Sequence, residues 1–195
     1  VSCNNCWGVI NLDQPLQCDN NPRVGFENEV DWLPPKIKEK KHVSIIGAGI
    51  SGLEAAWVAA AKGHKVTLFS SSNDLGGKCK LNASIPGCET LSSIYDYQKV
   101  MISKQEIDVR FGWYAESQDI IKLNPDEIII ATGGTMLWPS FIPLKYKKDG
   151  SIKDLRDIVQ DFIKFQSFIG GNLIIYDADG LDGTYSSAQY LKNFF

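Results

Sequence analysis

The residues with the clearest chemical meaning in this 195-residue chain are three glycines spaced as in turns that bind dinucleotides. They are Gly47, Gly49 and Gly52, in the segment GAGISG that follows a short apolar run. In such a turn the first glycine permits a tight bend, the second lets the backbone approach a pyrophosphate, and the third lets a helix pack close to the sheet. The phosphates would bind N–H groups at the positive end of the helix dipole. The alternative is a glycine-rich turn that binds no ligand.

The residue expected to bind the ribose differs from the usual dinucleotide-binding motif. Ser70 lies eighteen residues after Gly52, where an acidic residue usually ends the second strand. A hydroxyl can also bind a ribose, but its hydrogen bond lacks the charge assistance of a carboxylate. Loss of the acid could instead admit a 2′-phosphate, yet no arginine stands nearby to neutralise one. We therefore expect an adenine dinucleotide, with FAD favoured, held less firmly than usual.

Three of the five cysteines lie within the first 36 residues and have a spacing that suits a metal centre. Cys3 and Cys6 can turn their sulfurs toward one centre, and Cys18 can add a third thiolate from a returning loop. A zinc or iron–sulfur site needs one more ligand, and the nearest histidine, His42, begins a strand. A disulfide and unreactive thiols are the alternatives.

Two further turns contain candidate cofactor contacts. Gly77 and Lys78 follow the second strand, where glycine allows a turn close to a ligand and the lysine could reach a phosphate or a flavin carbonyl. Thr132 and Gly133 directly follow an apolar strand, and ligands of parallel sheets collect at the carboxyl ends of strands. The alternatives are an ordinary turn with an exposed lysine and a plain turn at the end of a strand.

The elements that must position these residues alternate between strand and helix. The pattern predicts strands at 43–46, 66–69 and 126–131, with the last buried on both faces, and helices at 90–105 and 153–166. This order is typical of an α/β fold, a Rossmann-like doubly wound sheet. Cys79 and Cys88 are predicted to be packing residues.

A second strand, turn and helix follow near the end of the chain. Residues 172–176 are predicted to form a strand, and the next helix is predicted to turn Tyr185, Ala188 and Leu191 inward. The turn lacks the GxGxxG spacing and contains Asp177, Asp179 and Asp182, whose carboxylates would repel a pyrophosphate. We expect a Rossmann-shaped unit without a dinucleotide.

The composition excludes some classes of partner. The chain has 20 basic and 23 acidic residues and a net charge of −3, which gives no electrostatic footprint for nucleic acid or an anionic membrane. No apolar run approaches the ~18 residues of a spanning helix. We therefore expect a cytoplasmic protein with reduced thiols. Because the chain begins at Val1 rather than Met, we also expect it to be part of a longer protein.

The motifs together resemble the region after the flavin barrel in the trimethylamine dehydrogenase and 2,4-dienoyl-CoA reductase group of NADH:flavin oxidoreductases. The resemblance covers almost the whole chain. Its landmarks occur in the family's order and spacing, and they are NPRVGFE, GAGISGLEAA, LGGK, IPGCE and IIIATGG. The segment YDADGLDGTYSSAQYL is similar to the second Rossmann unit of the amine dehydrogenase branch.

This resemblance implies a 4Fe–4S cluster in which Cys3, Cys6 and Cys18 match the family's second, third and fourth cysteines. The first would precede Val1. It also implies an iron–sulfur segment at 1–36, a Rossmann-like domain for FAD or ADP at 37–145, and the beginning of a second Rossmann-like, NAD(P)-type domain at 146–195. The partner implied is an FMN barrel in the same full-length chain, to which substrate would bind.

The expected function is the electron-transfer part of a flavin and iron–sulfur oxidoreductase, which passes electrons between the FMN barrel and either a protein acceptor or NAD(P)H. Because Ser70 replaces the ribose acid and aspartates surround Gly180, the amine dehydrogenase branch is favoured over the reductase branch. The alternative is a non-catalytic module that binds FAD or ADP structurally, with cysteines that bind zinc or nothing.

Overall fold

The computed structural model describes residues 4–26, 32–167, 169–178 and 180–195, which form two compact units. The first unit contains the described residues up to Lys80 together with Thr90–Gly133. The second contains Leu81–Glu89 and the described residues from Gly134 to the end of the chain. The domains predicted at 1–36, 37–145 and 146–195 concern the full-length protein and stay a prediction. None of the helices in these described ranges is long and apolar enough to cross a membrane.

The first unit is a parallel sheet with helices between its strands. Its strands are β1 (His42–Ile46), β2 (Lys65–Phe69), β3 (Ile107–Arg110) and β4 (Glu127–Ile130), in the spatial order β3-β2-β1-β4. All three strand pairs are parallel, as a sheet built from strand–helix–strand units requires. The helices are α1 (Asn5–Asn11), α2 (Ile50–Lys62), α3 (Gly77–Ala83, continuing into the second unit), α4 (Ser92–Ser103, after a 3-10 turn at Glu89–Leu91) and α5 (Ser117–Leu123). The predicted Rossmann-like fold is confirmed.

The core of this unit lies between α2 and the two central strands. Ile45, Leu53, Trp57 and Leu68 are fully buried, and Ala56 keeps the helix close to the strands because it is small. Packing of this kind contributes about 1.5–3 kcal/mol for each large apolar side chain removed from water. The helix predicted at 90–105 corresponds to the 3-10 turn and α4.

Strand β4 differs from the prediction that it is buried on both faces. Ile128, Ile129 and Ile130 are 53%, 37% and 75% exposed, respectively. The strand is at the edge of the sheet, and in the described part of the chain it pairs only with β1. A run of isoleucines shows that a segment favours a strand, but the number of neighbours decides how much of it is buried.

The second unit is a small helical assembly. Its helices are α6 (Leu144–Lys148), α7 (Leu155–Phe165) and α8 (Asp182–Leu191), and its core consists of Ile85, Val159, Phe162 and Leu191. Helix α7 begins at Asp154, whose side chain accepts a hydrogen bond from the N–H of Arg156 at 2.8 Å. The helix predicted at 153–166 is confirmed.

The strand predicted at 172–176 is not formed. Leu173 and Ile175 pack against the core of this unit, while Ile174 is 91% exposed. The alternation expected of a strand is present, but among the described residues no second strand lies beside it to complete a ladder.

Helix α8 also turns a different face inward from the one predicted. Leu191 is fully buried and Ala188 is half-buried, but Tyr185 is 62% exposed and Ser187 is buried instead. At 100° per residue, Ser187 and Ala188 lie on the side of Leu191, whereas Tyr185 lies about 120° away. Helical geometry therefore places the side chain of Tyr185 away from the core of the second unit.

We expect Gly52→Ala to destabilise the first unit, because an added Cβ would lie 1.8 Å from the carbonyl oxygen of Gly47. Backbone must move to relieve this contact, which should cost roughly 1–3 kcal/mol or more. Urea unfolding would measure the loss as a lower midpoint. The matched control is Gly8→Ala in α1, where an added Cβ meets no atom within 4 Å and stability should be kept. Equal midpoints for both variants would show that the close approach is not required.

Candidate nucleotide-binding site

Three turns of the first unit meet at the carboxyl ends of β1 and β4. The glycine turn between β1 and α2 receives a hydrogen bond at Ala48, whose carbonyl accepts from the N–H of Gly76 at 2.9 Å. The turn after β4 is joined to β1 because the N–H of Ala131 donates to Ile46 at 2.8 Å. The structure thus brings together the turns in which Gly47–Gly52, Gly77–Lys78 and Thr132–Gly133 were predicted to contact a cofactor.

Two of the fingerprint glycines are required by the packing of the protein itself. Gly47 has φ +108°, and an added Cβ would lie 2.3 Å from the carbonyl oxygen of Ala131. Helix α2 passes close to the turn at Gly52, because a Cβ added to this residue would lie 1.8 Å from the carbonyl oxygen of Gly47. These are the local roles that the sequence predicted for the first and third glycines: a tight bend and a close helix approach.

Gly49 is different, because nothing in the described chain requires a glycine there. Its backbone is extended, with φ −78° and ψ −176°, and an added Cβ would meet no atom within 4 Å. The open space lies at the beginning of α2, which has no capping side chain and no acidic residue in its first turn. A positive helix end beside space that a side chain would fill fits a pyrophosphate.

Lys78 lies beside the turn that follows β4. Its Nζ atom is 3.8 Å from the position that a Cβ on Gly133 would take, and Lys78, Thr132 and Gly133 are all exposed. Gly77 approaches Gly49 so closely that a Cβ on it would lie 3.0 Å from the Cα of Gly49. Lys78 thus places an ammonium group beside the turn after β4, and Gly77 places backbone against Gly49.

Ser70 is buried, and its hydroxyl takes part in the turn after β2. The Oγ atom donates to the carbonyl oxygen of Ser72 at 2.9 Å and lies 3.2 Å from that of Asp74. The residue is 3% exposed. Its contact with a ribose therefore stays a prediction, and the geometry observed is that of a hydroxyl holding its own turn.

Asp74 stabilises the same turn through charge. It forms an ion pair with Lys80, lies 3.5 Å from Lys99, and accepts a hydrogen bond from the N–H of Leu75 at 2.7 Å. The Lys80 hydrogen bond and then the Leu75 N–H hold the pKa of Asp74 below its usual value. Because the folded-state pKa is lowered, this stabilisation is present at neutral pH and is lost only as the pH falls through the lowered value.

The cysteine segment presents two of its three predicted ligands. Cys6 is exposed on α1, Cys18 is half-buried, and both are free thiols. The Nδ2 atom of Asn5 donates to Asp19 at 2.8 Å, so residues adjacent to the two cysteines are in contact. Cys3 lies outside the described residues, and the described ones contain no group of three or more metal-binding side chains.

The other two cysteines are packing residues, as predicted. The Sγ of Cys79 donates to the carbonyl oxygen of Leu91 at 3.5 Å, and burial raises the pKa of this thiol. Cys88 packs against the core of the second unit. A raised pKa keeps a thiol protonated and unreactive at neutral pH.

The turn before α8 already uses an N–H that a phosphate would need. Gly180 has φ +62°, and its N–H donates to the Oδ1 of Asp177 at 3.1 Å. Asp182 is in the first turn of α8, while Asp179 lies outside the described residues. The negative charge around this helix end matches the prediction from the sequence.

Gly76, the first of the two glycines in LGGK, has φ +115°, and its N–H forms the hydrogen bond that joins two of the turns. Sequence reasoning missed Arg23, which is surrounded by aromatic rings from distant parts of the chain. The aromatic residues around Arg23 have no regular spacing in the sequence that could have predicted this contact.

Comparison with known proteins agrees with this geometry. The family described as NAD(P)-binding Rossmann-like domain matches residues 45–97, which include the glycine turn and α2. The chain is 31% identical over 172 residues to a multifunctional alkene reductase/demethylase OYE of Caballeronia cordobensis, covering 88% of this chain and 24% of that protein. It is 30% identical to the N,N-dimethylglycine/sarcosine dehydrogenase of Chromohalobacter salexigens, covering 87% and 24% of the two chains.

A solved structure extends the similarity to nearly the whole chain. The 2-naphthoyl-CoA reductase complex with 2-naphthoyl-CoA has a TM-score of 0.75 and 30% identity, and the match covers 98% of this chain and 28% of that one. The first unit is thus a Rossmann-like nucleotide-binding fold. The chain belongs to the trimethylamine dehydrogenase and 2,4-dienoyl-CoA reductase group of flavin oxidoreductases. It spans 24% of the length of each of the two curated relatives.

We expect Gly49→Val to abolish nucleotide binding in a chain that still folds. The side chain would fill the open space at the start of α2 without meeting protein atoms on its Cβ. The expected loss is at least about 2.7 kcal/mol, which lowers the affinity for ADP about 100-fold or more. Isothermal titration calorimetry with ADP measures it.

The control for this variant is Gly8→Val, which makes the same change in α1. It should bind ADP as the unaltered chain does. If Gly49→Val keeps full affinity while its unfolding midpoint is unchanged, the space at Gly49 is not the phosphate site.

Proposed function

We propose that this chain is the nucleotide-binding and electron-transfer part of a flavin and iron–sulfur oxidoreductase. The observation that carries the proposal is the open space at Gly49, in a glycine turn that the LGGK and ATGG turns both contact. Among the residues that the structure describes, no packing contact explains that glycine, and a pyrophosphate would. The ligand proposed is FAD, or ADP as a structural nucleotide.

Each turn has a part in holding the nucleotide. The first N–H groups of α2 would bind the pyrophosphate, and the backbone at Gly49 would lie against it. Lys78 would supply positive charge, and Thr132 and Gly133 would face the flavin side of the site. Ser70 would hold the ribose end through its turn. A bound FAD would supply hydride and single-electron chemistry.

The cysteine segment is proposed to hold a 4Fe–4S cluster. Cys6 and Cys18 are the described ligands, and Cys3 and a further cysteine from upstream chain would complete the set. The donor chemistry fits, because both described thiols are free and the Asn5–Asp19 hydrogen bond holds their segments together. A cluster there would pass single electrons.

The rest of the proposed enzyme lies outside this chain. Because the chain spans about a quarter of its relatives, the FMN barrel, the substrate and the acceptor are all assigned to the full-length protein. The relatives are named as both dehydrogenases and reductases, so the names alone do not choose a direction. The carboxylates at Asp177 and Asp182 favour the amine dehydrogenase branch and a protein acceptor.

The second candidate is a non-catalytic module in which ADP or FAD is structural. The buried Ser70 hydroxyl favours it, since no carboxylate from that position holds the ribose. A visible absorption spectrum of the full-length protein, purified without oxygen, separates the two. Flavin bands with a broad iron–sulfur shoulder support the oxidoreductase, and a featureless spectrum supports the module.

We expect Cys6→Ser to lower the iron and sulfide content of the full-length protein, because a serine hydroxyl is a much weaker ligand for iron than a thiolate. The matched control is Cys79→Ser, which removes a packing thiol of the same unit and should leave iron unchanged. Iron and acid-labile sulfide assays measure both. Unaltered iron in Cys6→Ser would remove this cysteine from the ligand set.

We further expect that NADH and NADPH do not rapidly reduce the enzyme. The N–H of Gly180 is already bonded to Asp177, and Asp182 adds a second carboxylate at the start of α8. A carboxylate within about 4–6 Å of a phosphate is repulsive by ~1–4 kcal/mol, depending on the local dielectric. Anaerobic stopped-flow mixing of the cofactor-loaded full-length enzyme with each nucleotide tests this. Rapid flavin bleaching would move the protein to the reductase branch.

A further inference from the structure

One arginine of the cysteine segment is enclosed by aromatic rings of the nucleotide-binding unit. The guanidinium carbon of Arg23 lies 5.3 Å from the ring centroid of Trp32, 5.5 Å from that of Trp57 and 5.3 Å from that of Tyr97. The Trp57 ring is nearly perpendicular to both others, at 88° and 90°. We refer to Trp32, Trp57 and Tyr97 as the aromatic box.

The box joins separate parts of the first unit. Arg23 lies five residues after Cys18, Trp57 is on α2, and Tyr97 is on α4. Contact of a cation with an aromatic face is stronger where both are shielded from water, and Trp57 is fully buried. Arg23 therefore ties the cysteine segment to the helix whose first turn lies at the proposed pyrophosphate site.

A carboxylate with a fixed orientation completes the enclosure. The Nη1 atom of Arg23 lies 3.3 Å from Oε1 of Glu54, and the two side chains are 15% and 33% exposed. The other oxygen of Glu54 accepts from the Nε1 of Trp57 at 2.7 Å and from the Nε2 of Gln98 at 3.1 Å. Gln98 also donates to the carbonyl oxygen of Ile50, the first residue of α2, at 3.1 Å. A continuous set of contacts thus runs from Arg23 to the start of α2.

Some features of this arrangement lower the stability of the fold. The Nε atom of Arg23 and the Oε1 atom of Gln98 are buried and have no hydrogen-bond partner among the described residues. Buried polar atoms without partners lower stability. A guanidinium is useful here because it is planar, permanently charged and able to stack on rings, which a lysine ammonium is not.

We propose that Arg23 is a positioning residue that holds the cysteine segment in a fixed place on α2. Its guanidinium carries out this role through the aromatic box and Glu54 together. The inference deepens the proposed function, on which it rests, because it gives the cluster ligands and the nucleotide helix a common anchor. It assigns no electron-carrying role to Arg23 itself.

The test compares amide hydrogen exchange in the full-length protein carrying Arg23→Met, Arg23→Lys, or the double change Arg23→Met with Glu54→Gln. The double variant avoids leaving Glu54 charged without its partner, so it keeps the test valid if the single methionine variant fails to fold. Exchange in residues 4–26 should rise about tenfold or more in all three, while α2 and α4 keep their protection. Equal acceleration throughout the first unit would show a purely structural role and overturn the proposal.

Arg110→Met is the matched control, because Arg110 also lies over aromatic rings, those of Phe69 and Trp113, and pairs with Asp108. It should leave exchange in residues 4–26 unchanged. Wild-type exchange in Arg23→Lys would show that any cation suffices and would overturn the role of the guanidinium. A cluster signature in electron paramagnetic resonance that shifts in the Arg23 variants but not in Arg110→Met adds support.

Failure of the wider proposal is distinguishable from failure of this one. If the full-length protein contains no iron, the proposed cluster is wrong, yet the exchange pattern of residues 4–26 still tests whether Arg23 anchors them. If iron is present and residues 4–26 exchange as in the unaltered protein, the anchor alone is wrong.

Discussion

The close approach of α2 to the turn after β1 is the constraint on which the rest of the first unit depends. A side chain at Gly52 would lie 1.8 Å from the oxygen of Gly47, and one at Gly47 would lie 2.3 Å from that of Ala131. These two contacts leave no room for a Cβ, so α2, β1 and the turn after β4 hold one another in place. The beginning of α2 then lies beside the open space at Gly49.

This constraint separates two kinds of glycine in one motif. The packing of the chain requires glycine at Gly47 and Gly52, whereas no contact of the described residues requires it at Gly49. The distinction matters because a GxGxxG motif does not by itself show that a ligand binds. Packing of the turn alone explains two of its three glycines. The third is the observation that carries a functional meaning.

The helix start is also connected to the cysteine segment. Gln98 reaches the carbonyl oxygen of Ile50 and the carboxylate of Glu54, and Glu54 pairs with Arg23. Two buried polar atoms of this network, on Arg23 and Gln98, lack partners among the described residues, and such atoms lower stability. The same α2 thus connects the proposed nucleotide site at one end and the proposed cluster ligands through its side.

The sequence by itself determined the glycine turn, the strands β1, β2 and β4, and the helices α4 and α7, because these follow from backbone geometry and periodicity over a few residues. Only the tertiary structure decided that β4 is exposed, that residues 172–176 form no strand, and that Ser70 is buried in its own turn. Each of these depends on which segments lie beside one another. Arg23 is the clearest case, since its aromatic neighbours come from residues 9, 34 and 74 positions further along the chain. No local sequence pattern predicts these contacts, because side chains distant in sequence become neighbours only when the chain folds.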